Sequence, residues 1–270
     1  EYLEDEQFEF HPGVSYRHLM VWRGGCDTMA CVPPHDITNQ CVGDYLPTGE
    51  GADTLIHLMT QAQIVLKNQS YNLLREERGE VTANSIWLWG QGRAPEMPTL
   101  KERAGLDGAV ISAVDLIKGI GIYAGLDVVE VEGATGYIDT NYRGKAEAAL
   151  NALETGDFVY LHVEAPDEAA HAGNLEDKIR AIEDFDREIV GRILKGLEGE
   201  SFRMLVLPDH PTPVARRTHT ADPVPFVLYD SCREEAGPGA YSERAATATN
   251  VWFSSGASLF DVLVAAQGRS

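Results

Sequence analysis

The chain has 270 residues, of which 44% are hydrophobic, so it is long enough for one large domain or for one domain with a cap. Its 42 acidic and 22 basic residues give a formal net charge of −20, which repels nucleic acid and anionic membrane surfaces and argues against both as partners. No apolar stretch approaches the ~20 residues that cross a bilayer, and no secretory signal is found, so we expect a cytoplasmic protein.

The cysteines leave a zinc site or a disulfide open as alternatives. Three of the four, Cys26, Cys31 and Cys41, fall within CDTMACVPPHDITNQC, and Cys232 lies far from them. The segment lacks the CxxC pair that marks most structural zinc sites. Because no secretory signal is found either, we expect reduced thiols.

The first third of the chain predicts strands, then a long loop, then a helix. Residues 9–24, EFHPGVSYRHLMVWRG, alternate loosely and carry strand-forming residues, which indicates one or two strands. The residues that follow, to about position 52, are rich in turn formers and indicate an irregular connection. Apolar residues at helical spacing in DTLIHLMTQAQIVLKNQS predict a helix that Asp53 or Thr54 caps.

From about residue 84 the pattern changes to strands that alternate with helices. The predicted strands are SIWLWG, GAVISAV, DVVEVEG, DFVYLHVEA, FRMLVLPD and PVPFVLYD. The predicted helices are DLIKGIGIYAGL, NYRGKAEAALNALE, LEDKIRAIEDFDREIVGRILKGL and ASLFDVLVAAQ. This alternation predicts an α/β fold, a mostly parallel sheet with helices on both faces.

Acidic and imidazole side chains cluster where predicted strands end or begin. Asp167 and His171 follow DFVYLHVEA, Asp209 and His210 end FRMLVLPD, and His219 precedes PVPFVLYD. Each piece alone has a structural interpretation: a helix cap, a hydrogen-bonded turn, or a packed histidine beside a prolyl turn. Ligands of open parallel sheets bind at the carboxyl ends of the strands, so we expect these five groups at one edge.

Five such groups at one edge favour bound cations, because neighbouring carboxylates repel one another. Imidazole and carboxylate suit Zn²⁺ and also Mn²⁺. A separation of one helical turn lets Asp167 and His171 bind the same ion. Two ions about 3.5–4 Å apart can hold a transferring phosphoryl group and activate a nucleophile.

Longer motifs around these residues resemble one known family. HVEAPDEAAHAG, VLPDHPTP and RTHTADPVPF, with SIWLWGQG, GAVISAVDLIKGIG and GATGYIDTNYRGKAEAAL, resemble the archaeal-type cofactor-independent phosphoglycerate mutases of the alkaline phosphatase superfamily. The resemblance runs from about FHPGVSYRHL to the C-terminus, with the motifs in the same order. It implies an alkaline phosphatase-like core and a glycolytic isomerase that interconverts 2- and 3-phosphoglycerate through a phosphoserine, with no nucleotide and no bisphosphoglycerate.

The resemblance assigns two divalent ions, Mn²⁺, Zn²⁺ or Mg²⁺, among which the donor types do not choose. One would be held by Asp167, His171 and His219. The other would be held by Asp209 and His210.

The resemblance also implies a segment that these residues do not contain. The family's Gly-Asp-Gly motif and its nucleophilic serine have no counterpart in the sequence, so we expect the serine upstream of Glu1 and expect this chain to be inactive alone. Residues 1–50 would be part of an inserted, substrate-binding cap domain. Residues 51–270 would form the metal-binding core without its N-terminal strands.

A small anionic, phosphorylated substrate needs basic side chains near the metals. The resemblance favours Arg17, His18 and Arg23 in SYRHLMVWRGG, and Lys118 in DLIKGIG. Guanidinium groups bind carboxylate and phosphate in bidentate fashion. The alternatives are surface charge on a strand for the first three residues and an exposed helix lysine for Lys118.

Three other functions remain open from sequence. Relatives with nearly the same motifs include proposed homoserine kinases, which would need the same cations but also ATP. A metal-dependent hydrolase would transfer the phosphoryl group to water. A non-catalytic scaffold would keep the fold without the nucleophile, and nothing in the sequence fixes the oligomeric state.

Overall fold

The computed structural model describes residues 2–13, 17–37, 39–233, 237 and 239–265. The chain divides into two compact units, Glu1–Pro95 and Glu96–Ser270, which are described separately below. The division lies further along the chain than the expected boundary at residue 50. The assignment of residues 1–50 to a cap stays a prediction.

The first unit contains an antiparallel hairpin, two short 3₁₀ turns and two helices. Strands β1 (Phe8–Pro12) and β2 (His18–Trp22) pair so that Phe8 lies opposite Trp22, with their ring centroids 5.5 Å apart. The 3₁₀ turns span Pro34–Ile37 and Val42–Tyr45 within the predicted irregular connection.

Helix α1 (Ala52–Lys67) buries the apolar stripe that its sequence predicts, and helix α2 (Ser70–Glu77) follows it. Leu55, Leu58 and Met59 are among its buried residues. The predicted cap is wrong, because the helix begins at Ala52, after Gly51 in the left-handed region with φ +84°, and no side chain caps it. Asp53 therefore lies inside the first turn, where its charge still complements the positive end of the helix dipole.

The predicted strand SIWLWG is not a strand. It lies in an extended segment that forms no ladder with any strand in the described part of the chain. Side-chain hydrogen bonds to a neighbouring loop hold it instead. Trp87 Nε1 donates to the Val32 carbonyl at 2.8 Å, and the Gln91 amide donates to the Met29 carbonyl.

The second unit is built on a three-stranded parallel sheet in the order β4–β3–β5. Its strands are β3 (Gly108–Ile111), β4 (Asp127–Val128) and β5 (Phe158–Leu161). Helices α3 (Leu100–Ala104), α4 (Asp115–Tyr123) and α5 (Tyr142–Leu153) come before and between these strands. Parallel strands need such crossovers, and the predicted strand–helix alternation is confirmed here.

Five further helices and a pair of strands complete the described part of the second unit. The helices are α6 (Ala165–His171), α7 (Leu175–Phe185), α8 (Gly191–Gly196) and α9 (Glu243–Ala248), with α10 (Gly256–Val264) closing the described chain. A π-helical turn, Asp186–Val190, joins α7 to α8, so the predicted long helix is continuous but locally widened. Its Ile189 packs into a core with Tyr142, Ala146, Ala165 and Ala181.

The two strands β6 (Arg203–Val206) and β7 (Val227–Asp230) form a separate antiparallel ladder rather than further parallel strands. The connection between them explains this difference from the expected sheet. Residues 207–226 contain no helix, and a parallel return normally needs a crossover helix. The connection instead leaves the strand end and forms a loop that carries three of the predicted metal ligands.

None of the helices in the described part of the chain is both long enough and apolar enough to cross a bilayer.

Candidate metal centre

Helix α6 places the first two predicted ligands on one face. Its small residues Ala165, Ala169 and Ala170 are buried, which turns the opposite face outward and leaves Asp167 and His171 partly exposed one turn apart. His171 Nε2 lies 3.2 Å from Asp167 Oδ2. The four-residue spacing therefore brings a carboxylate oxygen and an imidazole nitrogen to one point, as the sequence predicts.

The loop after β6 brings His219 to the same point. His219 Nε2 lies 3.4 Å from Asp167 Oδ1 and 3.1 Å from His171 Nε2. One candidate ligand atom from each of Asp167, His171 and His219 lies within 4.8 Å of the others. These three residues form the triad, a name kept below.

The donor spacing of the triad fits a metal ion. Donors about 2.0–2.1 Å from a tetrahedral ion lie about 3.4 Å from one another, close to the separations between these three side chains. The imidazole of His171 is also oriented for it, because its Nδ1 lies 2.9 Å from the Arg217 carbonyl oxygen, which only accepts hydrogen bonds. Neutral His171 then carries its proton on Nδ1, and its Nε2 lone pair faces the other two donors.

The backbone around the triad is arranged for close approach. Gly173, just after α6, has φ +73°, and a Cβ there would lie 2.4 Å from the Arg217 Nε atom. Arg217 itself has a φ of +55°, which is unusual for a residue with a side chain. Both conformations bring the Arg217 carbonyl to His171, so the orientation of this ligand is fixed by the main chain.

The remaining two predicted ligands adjoin the triad without joining it. His210 Nε2 lies 3.4 Å from Asp209 Oδ2, and the His210 ring stacks on His219 with centroids 3.7 Å apart. The nearest approach to the triad carboxylate is 4.0 Å, from His210 Nδ1 to Asp167 Oδ1. All five predicted residues thus lie close together. Asp209 and His210 adjoin the triad but are not part of it.

The predicted substrate-binding residues fall in both units. In the first unit Arg17 is exposed, His18 Nδ1 accepts from the Gly13 amide at 3.1 Å, and Arg23 is paired with Glu9. In the second unit Lys118, on α4, donates to both carboxylate oxygens of Glu130, in the loop after β4, at 2.7 and 2.8 Å. Their role in binding an anion stays a prediction.

A buried lysine next to the segment that leads into α6 was not predicted from the sequence. Lys145 on α5 has no exposed surface, and its ammonium donates to the His162 carbonyl at 3.1 Å. The His162 ring lies 3.2 Å from Ser112 Oγ through Nδ1 and 3.2 Å from Glu164 Oε2 through Nε2. The available signal was helical spacing, because Lys145 lies on the face whose neighbours Tyr142, Ala146 and Ala149 form the core.

Burial sets the charge state of this group. Desolvation lowers the pKa of the Lys145 ammonium to about 8, against the opposing effect of Glu164. Desolvation likewise lowers the pKa of His162 below its ordinary value, so that ring is neutral at neutral pH. The Lys145 ammonium is therefore held without solvent contact, next to the segment that joins β5 to α6.

Sequence comparisons agree with this geometry. The Metalloenzyme superfamily matches residues 27–256. A Methanosarcina barkeri protein named 2,3-bisphosphoglycerate-independent phosphoglycerate mutase is 48% identical over 270 residues, which is 98% of this chain and 68% of that protein. The chain belongs to this mutase family within the Metalloenzyme superfamily.

A further relative and a solved structure are also similar to this chain. A Geobacter sulfurreducens protein named "Probable 2,3-bisphosphoglycerate-independent phosphoglycerate mutase" is 56% identical over 261 residues, covering 96% of this chain and 65% of that protein. A solved structure from Pyrococcus horikoshii superposes with a TM-score of 0.65 at 33% identity, covering 73% of this chain and 52% of that one. The chain therefore spans between about half and two thirds of the length of these relatives.

Proposed function

We propose that the whole protein to which this chain belongs interconverts 2-phosphoglycerate and 3-phosphoglycerate by phosphoryl transfer, without nucleotide or bisphosphoglycerate. The observation that carries the proposal is the triad, which sits in a chain of the phosphoglycerate mutase family. The names of the relatives supply the substrate, and the donor set supplies the reason for metal dependence.

Two divalent ions fit the donor set. Asp167, His171 and His219 would hold one, and Asp209 with His210 would contribute to the other. When bound, such ions supply charge stabilisation to a transferring phosphoryl group and lower the pKa of a coordinated nucleophile. The chain's own part is to hold Asp167 between two imidazoles and to keep the His171 proton on Nδ1 through the Arg217 carbonyl.

The substrate carries a carboxylate and a phosphate, so cationic contacts complete the proposal. Lys118 lies on α4 directly after the carboxyl end of β3, the end at which parallel sheets bind ligands. Its ammonium is paired with a carboxylate that an incoming phosphate can replace. We assign residues 1–50 to a cap in which Arg17, His18 and Arg23 contact the other anionic group.

Substitution of the triad tests the proposal in the intact protein. Asp167→Ala and His219→Ala remove donors of the same ion, so each is expected to lose bound metal and to reduce mutase activity at least about 100-fold. Glu183→Ala, on the exposed face of α7, is the matched control and should keep both. Metal content is measured by mass spectrometry, and turnover by conversion of 3-phosphoglycerate.

The same assay separates the alternatives. Turnover of phosphoglycerate without nucleotide supports a mutase, whereas a requirement for ATP and homoserine contradicts it. Retention of full metal content and activity by Asp167→Ala would remove the triad from the mechanism.

A further inference from the structure

Thr212, in the loop after β6, connects the two predicted metal sites through one hydroxyl group. The residue is 4% exposed, and its Oγ1 donates a hydrogen bond to Asp167 Oδ1. The same oxygen lies 3.2 Å from His210 Nδ1. Asp167 belongs to the triad and His210 to the second pair of donors, so this hydroxyl contacts one ligand of each predicted ion.

Proton counting fixes the direction of both hydrogen bonds. A threonine hydroxyl has one proton, and Thr212 gives it to a carboxylate, which in its ionised form only accepts. His210 Nδ1 must then be the donor to Thr212 Oγ1. Neutral His210 therefore carries its proton on Nδ1, and its Nε2 holds a lone pair.

That lone pair faces Asp209 Oδ2 at 3.4 Å. Two acceptors that face one another with no proton between them are suited to a shared cation, and a histidine ligand usually donates its other ring nitrogen to such a partner. At the proposed first site, the Arg217 carbonyl accepts this hydrogen bond from His171. At the second, Thr212 Oγ1 accepts it from His210.

The position of the Thr212 hydroxyl is set by its backbone. Lys178 Nζ, on α7, donates to the Thr212 carbonyl at 2.6 Å, and the Thr220 amide donates to the neighbouring Pro211 carbonyl at 3.0 Å. A rigid helix and a turn thus hold the loop at both sides. The hydroxyl is placed before any ion arrives.

We propose that Thr212 is a positioning residue for both metal ions, which orients the Asp167 carboxylate and sets the Nδ1-protonated form of His210. The metal part of this inference rests on the proposed function. The proton position on His210 does not, so the two can be tested apart.

The first measurement reads the His210 proton directly. The intact protein is labelled with ¹⁵N-histidine, stripped of metal with a chelator, and examined about two pH units above the ordinary imidazole pKa of about 6.5. Two-bond ¹H–¹⁵N correlations, assigned with His210→Gln, distinguish the two neutral forms. We expect the Nδ1-protonated form in the wild type and in Thr212→Ser, and a shift toward the Nε2-protonated form in Thr212→Val, which keeps the shape but lacks the hydroxyl.

The second measurement reads metal affinity. Titration calorimetry of the same proteins with Zn²⁺ alone should show affinity weakened about 10–100-fold in Thr212→Val, the usual cost of losing a partner of a metal ligand. Thr212→Ser should stay within about threefold of wild type. Rescue by serine identifies the hydroxyl, since a general packing defect would not distinguish the two variants in this way.

Each outcome decides the inference. An Nε2-protonated His210 in the wild type overturns it, even if Thr212→Val fails to fold. Unchanged Zn²⁺ affinity in Thr212→Val overturns the metal part. If the wild type binds no Zn²⁺ but the His210 form depends on Thr212 as expected, the proposed metal sites fail while the orienting role of Thr212 stands.

Discussion

At the scale of single residues, the second unit buries one charged group, the ammonium of Lys145, out of contact with water. Lys145 contributes a long apolar stem to the core between α5 and β5, and its ammonium reaches the carbonyl of His162. Transfer of an ammonium from water to such a site is unfavourable unless it is hydrogen-bonded. The buried Lys145 ammonium therefore has a measurable effect on stability.

The low pKa of Lys145 makes the free energy of unfolding depend on pH in a predictable direction. The pKa of Lys145 falls from 10.5 in the unfolded chain to about 8 in the folded protein. Between these values the unfolded state binds more protons, so the free energy of unfolding rises with pH, by up to about 1.4 kcal/mol per pH unit. Below pH 8 the ammonium is charged in both states, and its full penalty is present.

Comparison with Lys145→Met isolates this titration, because all other groups cancel in the difference between the two proteins. The difference in unfolding free energy, variant minus wild type, should decrease by up to about 2 kcal/mol between pH 8 and 9.5. Urea unfolding at several pH values measures it. Lys195→Met, on the exposed side of α8, is the control for loss of a lysine at the surface, and a flat result for Lys145→Met would contradict the low pKa.

At the scale of elements, two glycines in α4 show how the helix is fitted onto the sheet. A Cβ at Gly121 would lie 2.4 Å from Val110 Cγ1, on a strand residue that is itself 1% exposed. A Cβ at Gly119, two residues earlier in the same helix, meets no described atom within 4 Å. Both lie in the interior of Asp115–Tyr123, so their helix propensities are the same and only their surroundings differ.

This pair predicts opposite effects for one substitution. Gly119→Ala should stabilise the protein by up to about 1 kcal/mol, the helix-propensity difference between the two residues. Gly121→Ala gains the same term but must displace Val110, so a net destabilisation of roughly 1–3 kcal/mol is expected. Denaturant unfolding of the intact protein compares them, and equal effects would show that α4 does not pack on β3 as described.

The elements also show which features the sequence could predict. The strand–helix alternation from residue 107 onward follows from local periodicity, and so does the meeting of Asp167 with His171. Local pattern could not predict the pairing of β6 with β7, which depends on a connection without a helix, or the failure of SIWLWG to pair. The roles of Arg217 and Thr212 depend on contacts between residues more than 40 positions apart, for which one sequence gives no signal.

At the scale of the whole molecule, the described chain contains all five residues proposed to bind metal, whereas none of its residues is assigned as the nucleophile of the proposed reaction. The second pair of donors, Asp209 and His210, supplies only two groups, and the side chain of Asp209 is 60% exposed. A structural or catalytic ion normally takes three or more protein donors. The proposed second ion would therefore need at least one donor besides this pair.

This incompleteness predicts how the two ions differ. In the 270-residue chain, the triad should bind about one Zn²⁺ per molecule, and the second site should bind far more weakly than in the intact protein. Phosphoglycerate mutase activity should be absent from the chain alone, because a two-ion mechanism needs both ions and a nucleophile. Adding, as a separate polypeptide, the segment of a full-length relative that this chain does not match should give a second bound ion together with turnover. Calorimetry with Zn²⁺ and a phosphoglycerate assay on the same samples measure both, and full turnover by the chain alone would place the nucleophile within these 270 residues.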